Sequence, residues 1–250
     1  MIDLHAHVLP GLDHGPGDWD EAVEMCRIAV ADGITVLAAT PHVSEEFPNR
    51  REGIEAATAE LRSRLSAAGV PLEVVAGGDY HAHPGLSPEN VLTLGGNGRY
   101  FLLEFPYQAV PPRADAFVRT LLGRGLTPIV THPERTASLQ REWRRLEPLV
   151  REGALVQVTA GSLLGHFGAA AAAVAGRLLR EGWVHLLASD AHWARERAPR
   201  LAQGRAAAAR QGGQAAADAL VEAHPRAVLA GRDLPGAACE DAGTVDRKSP

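Results

Sequence analysis

Short apolar runs alternate with amphipathic stretches along most of this chain, and this alternation restricts the fold more than any other feature. The apolar runs lie at residues 35–38, 72–75, 100–103, 128–130, 155–158 and 184–187, after a first one that leads into His5. Runs of this length are typical of strands that are buried on both faces. The sequence therefore predicts about seven strands, most of them in the interior of a sheet.

The stretches between the apolar runs have the spacing of helices. In the clearest of them, residues 18–31, apolar side chains recur at helical intervals, with Asp18 as N-cap and Gly33 as the stop. Further helices are predicted near 51–68, 113–124, 139–152, 167–181 and 195–223. Strand–helix alternation predicts parallel pairing with right-handed crossovers. We expect an α/β fold that closes, or nearly closes, into a barrel with its site at the C-terminal strand ends.

Side chains of the kinds that bind metal ions lie where the chain leaves these strands. His5 and His7 point to one face because the side-chain period of a strand is two, and Asp190 and His192 repeat this spacing. Imidazoles and carboxylates are ligands of borderline or hard divalent cations. The set predicts a trinuclear metal site and a metallohydrolase. Its members are His5, His7, Asp13 or His14, His42, Asp79, Glu104, His132, Asp190 and His192.

Such a site suits phosphate chemistry. Cations roughly 3.5–4 Å apart can bridge a phosphate, lower the pKa of a bound water and stabilise the leaving oxygen. Asp79 and Glu104 are the candidate bridging carboxylates. Arg135 and Arg197 are candidates to hold phosphate oxygens in a fork. The alternative is that each arginine is a surface charge or an ion-pair member, with Glu134 as the obvious partner of Arg135.

Composition limits the class of protein further. The 250 residues are 46% hydrophobic, enough for one sizeable core, and we expect one domain over 1–235 and a mobile tail over 236–250. The net charge of −5 and the lack of a basic run argue against a nucleic-acid partner. No apolar run reaches the roughly 18 residues of a membrane span. We therefore expect a soluble, cytoplasmic protein.

The sequence lacks a disulfide framework and two common catalytic or nucleotide-binding motifs. Cys26 and Cys239 are too few for a disulfide framework. Neither begins a Cys-x5-Arg loop, because position 32 is Asp and position 245 is Val, so the thiolate route to phosphotyrosine hydrolysis is absent. The sequence also has no glycine-rich nucleotide loop of either common type.

The metal-type motifs resemble those of the polymerase-and-histidinol-phosphatase (PHP) superfamily. More closely, they resemble its bacterial manganese-dependent protein tyrosine phosphatases, which are linked to capsule and exopolysaccharide synthesis. The resemblance covers about residues 1–230, with its motifs in the order of the family. They lie at residues 1–13, 39–42, 103–106, 132–135, 157–163 and 188–192.

The resemblance implies a distorted seven-stranded β/α barrel that binds three divalent cations. Manganese is the implied metal, with iron, zinc, cobalt or magnesium as alternatives. Arg135 and Arg197 match the arginines that bind the phosphoryl group in this family. The implied ligands are His5, His7, Asp79 and Asp190 for one cation, Asp79, Glu104 and His132 for a second, and His14, His42 and His192 for a third.

Two positions depart from the pattern of the phosphatases. The family usually has Gly-x-Glu where this chain has Gly77-Gly78-Asp79, and aspartate is one methylene shorter. It usually has Asp-Asp-Gly where this chain has Asp13-His14-Gly15. Both departures bear on which metal binds and how tightly. They also leave a sister phosphatase open as an alternative.

From these features we expect a metal-dependent phosphomonoesterase that hydrolyses protein phosphotyrosine through a metal-activated hydroxide. Arg135, Arg197 and Asp190 are the expected catalytic residues, with Asp190 or His42 as candidate general acid. One alternative is a small-molecule phosphatase such as a histidinol phosphatase. Another is a weakly active metal-binding regulator of a tyrosine kinase. A bacterial tyrosine kinase as partner is implied by the resemblance alone.

The remaining histidines and aromatic residues have simpler interpretations. His81 and His83 are expected to be an exposed loop pair, with a substrate or accessory role as the alternative. His185 is expected to be a hydrogen-bonded core or supporting histidine. Tyr107 is the best exposed candidate for an aromatic wall around a phosphotyrosine ring. The other candidates for that wall are Tyr80, Tyr100, Phe105 and Phe167.

Overall fold

Nine parallel strands form the centre of the protein in the computed structural model, which describes residues 1–235. They are β1 (Ile2–Ala6), β2 (Val36–Ala39), β3 (His42–Val43), β4 (Glu73–Ala76), β5 (Asp79–His81), β6 (Tyr100–Glu104), β7 (Thr127–Thr131), β8 (Leu155–Thr159) and β9 (Leu186–Ala188). One sheet has the order β1-β2-β4 and the other β3-β5-β6-β7-β8-β9. The predicted α/β class with parallel pairing is confirmed.

The predicted strand count is wrong, and a barrel of seven strands is not confirmed. Two predicted strands each stop and resume after two residues, so that β2 is followed by β3 and β4 by β5. Pro41 lacks the N–H that a continuous ladder would need. At Gly77 an added Cβ would lie 2.8 Å from Leu94, and at Gly78 it would lie 2.7 Å from the ring of Tyr80. These close approaches interrupt the strands just before His42 and Asp79.

Backbone hydrogen bonds join the first strand to the chain that follows the last one. The amide of His7 donates to the carbonyl of Ala191 at 2.7 Å. The amide of Asp190 donates to the carbonyl of His5 at 2.9 Å. The end of β1 and the segment that follows β9 are therefore fixed side by side, although they lie about 185 residues apart in the chain.

The helices lie between the strands in sequence. They are α1 (Trp19–Ala31), α2 (Arg51–Ala67), α3 (Ala114–Gly123), α4 (Ala137–Arg141), α5 (Glu147–Glu152), α6 (Ala160–Leu163), α7 (Gly168–Arg180), α8 (Ala202–Gly212), α9 (Gln214–Val221) and α10 (Ala223–Leu229). Asp18 is the N-cap of α1, where its Oδ1 accepts from the amide of Glu21 at 2.9 Å. That cap was predicted from the sequence and is confirmed.

Two of the predicted helices are broken in the structure. The stretch 139–152 divides into α4, a 3-10 turn at Trp143–Leu146 and α5, which has Pro148 in its first turn. The stretch 195–223 is helical only from Ala202, and Gly213 with φ of 87° separates α8 from α9. Proline removes a helical hydrogen bond and a positive φ ends a helix, so the continuous predictions are wrong here.

The apolar core and the polar site occupy successive positions along the same faces of the strands. Leu102, Ile129 and Leu186 from three neighbouring strands pack in one cluster with Val228 of α10. On β6 the residue two beyond Leu102 is Glu104, so both side chains share one face of the strand. The cluster thus supports the strands below the site.

The described part of the chain contains no helix with both the length and the hydropathy that crossing a membrane requires. The predicted mobile tail, 236–250, lies outside the described residues.

Candidate metal centre

The side chains that the sequence singled out as metal ligands come together at the carboxyl ends of the strands. His5 is in β1, His42 begins β3, Asp79 begins β5 and Glu104 ends β6. The others follow β1, β7 and β9 in the connecting loops. Of the nine predicted ligands, those that are buried are His5, His7, His42, Asp79, His132, Asp190 and His192.

The tightest group of donor atoms surrounds Nε2 of His5. This nitrogen lies 3.1 Å from Nε2 of His7, 3.4 Å from Oδ1 of Asp190 and 3.5 Å from Oδ2 of Asp79. Ligands of one cation with bonds of about 2.0–2.2 Å are spaced in this way. His5, His7 and Asp190 each place a donor atom within 4.8 Å of the other two, and so do His5, Asp79 and His132, so each of these groups can bind one metal ion.

Asp79 and Glu104 connect this group to a second one. Oδ2 of Asp79 lies 3.3 Å from Nδ1 of His42, and Oε2 of Glu104 lies 3.4 Å from the same nitrogen. Oε1 of Glu104 faces Nε2 of His132 at 3.5 Å. Both carboxylates thus lie between imidazoles of different strands, as bridging ligands do.

A third group consists of imidazoles. The ring of His7 lies 4.0 Å from that of His192 and 4.4 Å from that of His42, between centroids. His14 is exposed at the outer edge of this group, with its ring 4.7 Å from His192 and 4.9 Å from His42. The predicted site therefore includes His14 at its periphery.

Asp13, the alternative to His14 in the sequence, has a different contact. Its Oδ2 lies 2.6 Å from Nδ1 of His7 and accepts from the amide of His42 at 2.9 Å. In the same way, Oε1 of Gln157 lies 2.9 Å from Nδ1 of His5. A partner on the second ring nitrogen fixes the tautomer and orientation of a metal-binding histidine. Asp13 and Gln157 are placed to do this.

His81 was expected in an exposed loop, but it belongs to β5 and takes part in the centre. Its Nε2 lies 2.6 Å from Oε2 of Glu104, with about half of the side chain exposed. His83 lies beyond the strand, and its Nδ1 accepts from the amide of Gly85. The period of two from Asp79 to His81 is the signal that could have found this residue.

Two candidate ligands have strained backbones. His132 has φ of 32° and Asp190 has φ of 52°, the left-handed region that side chains other than glycine rarely adopt. Each such conformation costs on the order of 1–3 kcal/mol and is found mainly where function requires it. At Asp190 the hydrogen bond to His5 fixes the backbone in this state.

Several buried polar atoms in the centre lack a hydrogen-bond partner among residues 1–235. They are Nδ1 of His42 and both carboxylate oxygens of Asp79. Buried charged groups without partners are strongly destabilising. Carboxylates and imidazoles that face one another in this way fit a divalent cation, which would satisfy them together.

The electrostatics keep the Asp190 carboxylate ionised and the His132 imidazole neutral. Burial opposes ionisation of Asp190, but His5, His7 and Arg197 hold the pKa of its carboxyl well below the usual range. Burial lowers the pKa of His132 to about 4 in spite of the nearby Asp190. Ionised carboxylate and neutral imidazole are the forms that bind metal ions.

Arg135 and Arg197 meet at the same carboxylate oxygen. Nη1 of Arg135 lies 2.6 Å from Oδ2 of Asp190, and Nη2 of Arg197 contacts the same atom. Both guanidinium carbons lie over the ring of Phe167, at 4.4 and 5.3 Å from its centroid. A Cβ at Gly161 would come within 3.1 Å of that ring, so glycine leaves room for it.

Glu134 is not the ion-pair partner of Arg135 that the sequence suggested. It is fully buried, and its Oε1 accepts from the amide of Thr159 and the hydroxyl of Ser162. Burial raises the pKa of Glu134 to about 7. Glu134 therefore ties the loop of Arg135 to the end of β8 instead of neutralising the arginine.

A cleft of about 420 Å³ opens beside Arg197, lined in part by Phe167 and Trp193. Of the expected aromatic residues, Tyr107 is 60% exposed, whereas the side chains of Tyr80, Tyr100 and Phe105 are buried. Trp193, which the sequence analysis did not single out, is 36% exposed. Volumes of this order are typical of small-ligand sites.

The buried thiol of Cys26 offers no alternative nucleophile. It lies in α1, and burial raises its pKa to about 12. A thiol of this kind is not the reactive thiolate form at neutral pH.

Comparison with known proteins gives a consistent set of relatives. A family model described as capsular polysaccharide synthesis, CpsB/CapC, matches residues 1–230. Tyrosine-protein phosphatase YwqE of Bacillus subtilis is 36% identical over 197 residues, 77% of each chain. Tyrosine-protein phosphatase CpsB of Streptococcus agalactiae serotype III is 25% identical over 245 residues, covering 92% of this chain and 98% of the relative.

A solved structure agrees with these relatives. It comes from work on YwqE from Bacillus subtilis and CpsB from Streptococcus pneumoniae, described as unique metal-dependent tyrosine phosphatases. It superposes with a TM-score of 0.89 at 31% identity, over 94% of this chain and 96% of the other.

Proposed function

Since the chain belongs to the CpsB/CapC family of capsular polysaccharide synthesis proteins, we propose that it is a metal-dependent phosphomonoesterase that hydrolyses protein phosphotyrosine. The observation that carries this proposal is one carboxylate, Asp190, shared by two parts of the site. Its Oδ1 faces His5 and His7, and its Oδ2 faces Arg135 and Arg197. Metal ligands and phosphate-binding arginines therefore meet at one point.

We further propose that the centre holds three divalent cations, with manganese as the metal. The unpartnered atoms of His42 and Asp79, together with the strained His132 and Asp190, support it. The proposed ligands follow the family resemblance and are His5, His7, Asp79 and Asp190 for the first cation, Asp79, Glu104 and His132 for the second, and His14, His42 and His192 for the third.

Cations held by these residues would supply an attacking water of lowered pKa and would stabilise the leaving oxygen. The arginines of the chain bind the phosphoryl group. Each guanidinium presents paired N–H donors to phosphate oxygens, where negative charge is concentrated. Phe167 supports both guanidinium planes from one side. The arginines are thereby oriented before substrate arrives.

Asp190 serves as ligand and as anchor for the arginines in this proposal. The sequence left it open as a proton donor, but its pKa lies well below the usual carboxyl range. An ionised carboxylate cannot donate a proton. Arg135 and Arg197 exchange their contact with Asp190 for contacts with phosphate when substrate binds.

The cleft beside Arg197 supports an aromatic phosphate ester as substrate. Phe167 and Trp193 line this cleft together with Arg197 and offer apolar surface to a phenyl ring. Family membership supports a role in capsule or exopolysaccharide regulation, with a phosphorylated bacterial tyrosine kinase as the partner.

The test compares substrates directly. Protein stripped with chelator and reloaded with manganese is assayed on a phosphotyrosine peptide, a phosphoserine peptide and histidinol phosphate. The proposal expects metal-dependent release from phosphotyrosine with a kcat/KM well above that for the other two. Preference for histidinol phosphate would assign the protein to a small-molecule phosphatase. Metal binding without turnover of any substrate would assign it to the regulatory alternative.

A further inference from the structure

The backbone pairing of β5 with β6, and not the choice of a side-chain rotamer, places His81 next to the proposed metal centre. In the parallel pair β5–β6, His81 is the register partner of Glu104, and the amide of Ala82 donates to the carbonyl of Glu104 at 2.9 Å. Asp79 and His81 are two residues apart in β5 and so point to the same face. The sheet therefore presents His81 and Glu104 side by side at the mouth.

The carboxylate of Glu104 lies between three imidazoles. Its Oε1 faces His132 at 3.5 Å, and its Oε2 lies 3.4 Å from Nδ1 of His42 and 2.6 Å from Nε2 of His81. One donor atom from each of His42, His81 and Glu104 lies within 4.8 Å of the other two. This spacing lets the three side chains contact one cation.

The polar atoms of this group point to a ligand. Nδ1 of His42 is buried and has no hydrogen-bond partner in the described part of the chain. Both carboxylate oxygens of the neighbouring Asp79 are also buried and have no hydrogen-bond partner among residues 1–235. A half-exposed histidine that reaches over such atoms can complete a coordination shell while leaving a side open to solvent.

We propose that His81 is a further metal ligand, which joins Glu104 at the second cation on the side that faces His42. This inference rests on the proposed metal centre and adds one residue to it. The alternative is that His81 only pairs with the Glu104 carboxylate and holds it in place.

Three variants separate these two roles. His81→Ala removes the side chain. His81→Gln keeps an amide N–H that can hold the Glu104 carboxylate by a hydrogen bond but removes the imidazole. His83→Ala is the matched control, since His83 lies two residues further along, is exposed and contacts Gly85 instead of a carboxylate. The half-exposed His81 can be replaced without opening a core cavity.

Manganese binding to chelator-stripped protein is measured by calorimetric titration, with the bound metal counted by elemental analysis. A ligand role predicts that both His81→Ala and His81→Gln lose one equivalent of manganese or bind it at least about tenfold more weakly. His83→Ala is expected to match the wild type. The electron spin-echo spectrum of bound manganese should lose a histidine nitrogen coupling in both His81 variants and keep it in His83→Ala.

Wild-type affinity and stoichiometry in His81→Gln would overturn the inference and leave a positioning role. Wild-type binding in His81→Ala would exclude both roles. In either case, metal-dependent hydrolysis of phosphotyrosine by the wild type would leave the proposed function standing. A wild-type protein that binds no manganese would overturn the inference and the proposed metal centre together.

Discussion

Nη1 of Arg135 lies 2.6 Å from Oδ2 of Asp190, and Oδ1 of the same carboxylate lies 3.4 Å from the ring of His5. One side chain thus connects the arginines that we propose to bind phosphate with the side chains that we propose to bind metal. The left-handed backbone of Asp190 holds the carboxylate between them. A change on the arginine side should therefore affect substrate chemistry without removing the metal.

Arg135→Ala is expected to lower kcat/KM for a phosphotyrosine peptide by about 10²–10³-fold, because one preorganised donor to the phosphoryl oxygens is lost. Manganese content should stay at the wild-type level. Steady-state kinetics and elemental analysis of the same preparation test both statements. The control is Arg151→Ala, at a side chain that is 78% exposed and pairs with Glu147. Equal activity of Arg135→Ala and Arg151→Ala would exclude Arg135 from phosphate binding.

Asp13→Asn is expected to weaken manganese binding by about 10–100-fold, because the carboxylate no longer fixes the ring of His7. The amide can present its NH₂ group to His7 instead of an oxygen. Calorimetric titration of the stripped protein measures the change. Asp233→Asn is the control, since Asp233 is 80% exposed and pairs with Arg99. An unchanged affinity would mean that Asp13 does not orient a ligand.

Gly204→Ala is expected to destabilise the fold by about 1–3 kcal/mol through overpacking. The added Cβ would lie 2.5 Å from Cβ and 2.9 Å from Cα of Ala160, where α8 crosses α6. Urea denaturation of the stripped protein gives the free energy of unfolding. Gly212→Ala in the same helix is the control, because its Cβ would meet its nearest neighbour at 3.9 Å. Equal stability of the two variants would contradict the packing described for α6 and α8.

His185 should contribute a defined pH dependence of stability. Burial, with the nearby His224, lowers the pKa of His185 from 6.5 to about 4. Between these two pH values the unfolded chain binds a proton at His185 and the folded chain does not. Stability is therefore lost as the pH falls from about 6.5 to about 4, by roughly 3 kcal/mol from this group. Above pH 6.5 His185 is neutral in both states, so its contribution to the free energy of unfolding is constant.

The variant His185→Gln removes this titration and keeps an acceptor for the amide of Val156. Its free energy of unfolding, followed by urea denaturation of stripped protein from pH 7 to pH 4.5, should fall less steeply than that of the wild type. Other groups titrate equally in both proteins, so the difference isolates His185. Parallel curves would show that His185 is protonated as easily in the folded state as in the unfolded one.

The sequence predicted the metal centre better than the details of the fold, for physical reasons. Parallel strands bring their carboxyl ends together, so residues such as His5, Glu104 and Asp190 could be placed without knowing the distances. The division of one strand at Gly77-Gly78 depends on the close contacts of these glycines with the side chains of Leu94 and Tyr80. Local patterns do not carry such information.

The contacts that support the site could not be predicted from the sequence either. Phe167 lies beneath two arginines because the chain folds back over Gly161, and nothing near Phe167 in sequence signals this. Glu134 follows His132 by two residues and was interpreted as a surface partner of Arg135, but it is buried against Ser162. Tertiary contacts decide such roles.

The most direct test of the account follows turnover of a phosphotyrosine peptide while manganese is added back to chelator-stripped protein. The account predicts no turnover in the stripped protein, a rise that follows the manganese bound, and no rise in His5→Ala, which lacks the histidine at the centre of the tightest group. Full activity in protein that holds less than about a tenth of an equivalent of metal would contradict it, since the proposed chemistry requires the bound cations.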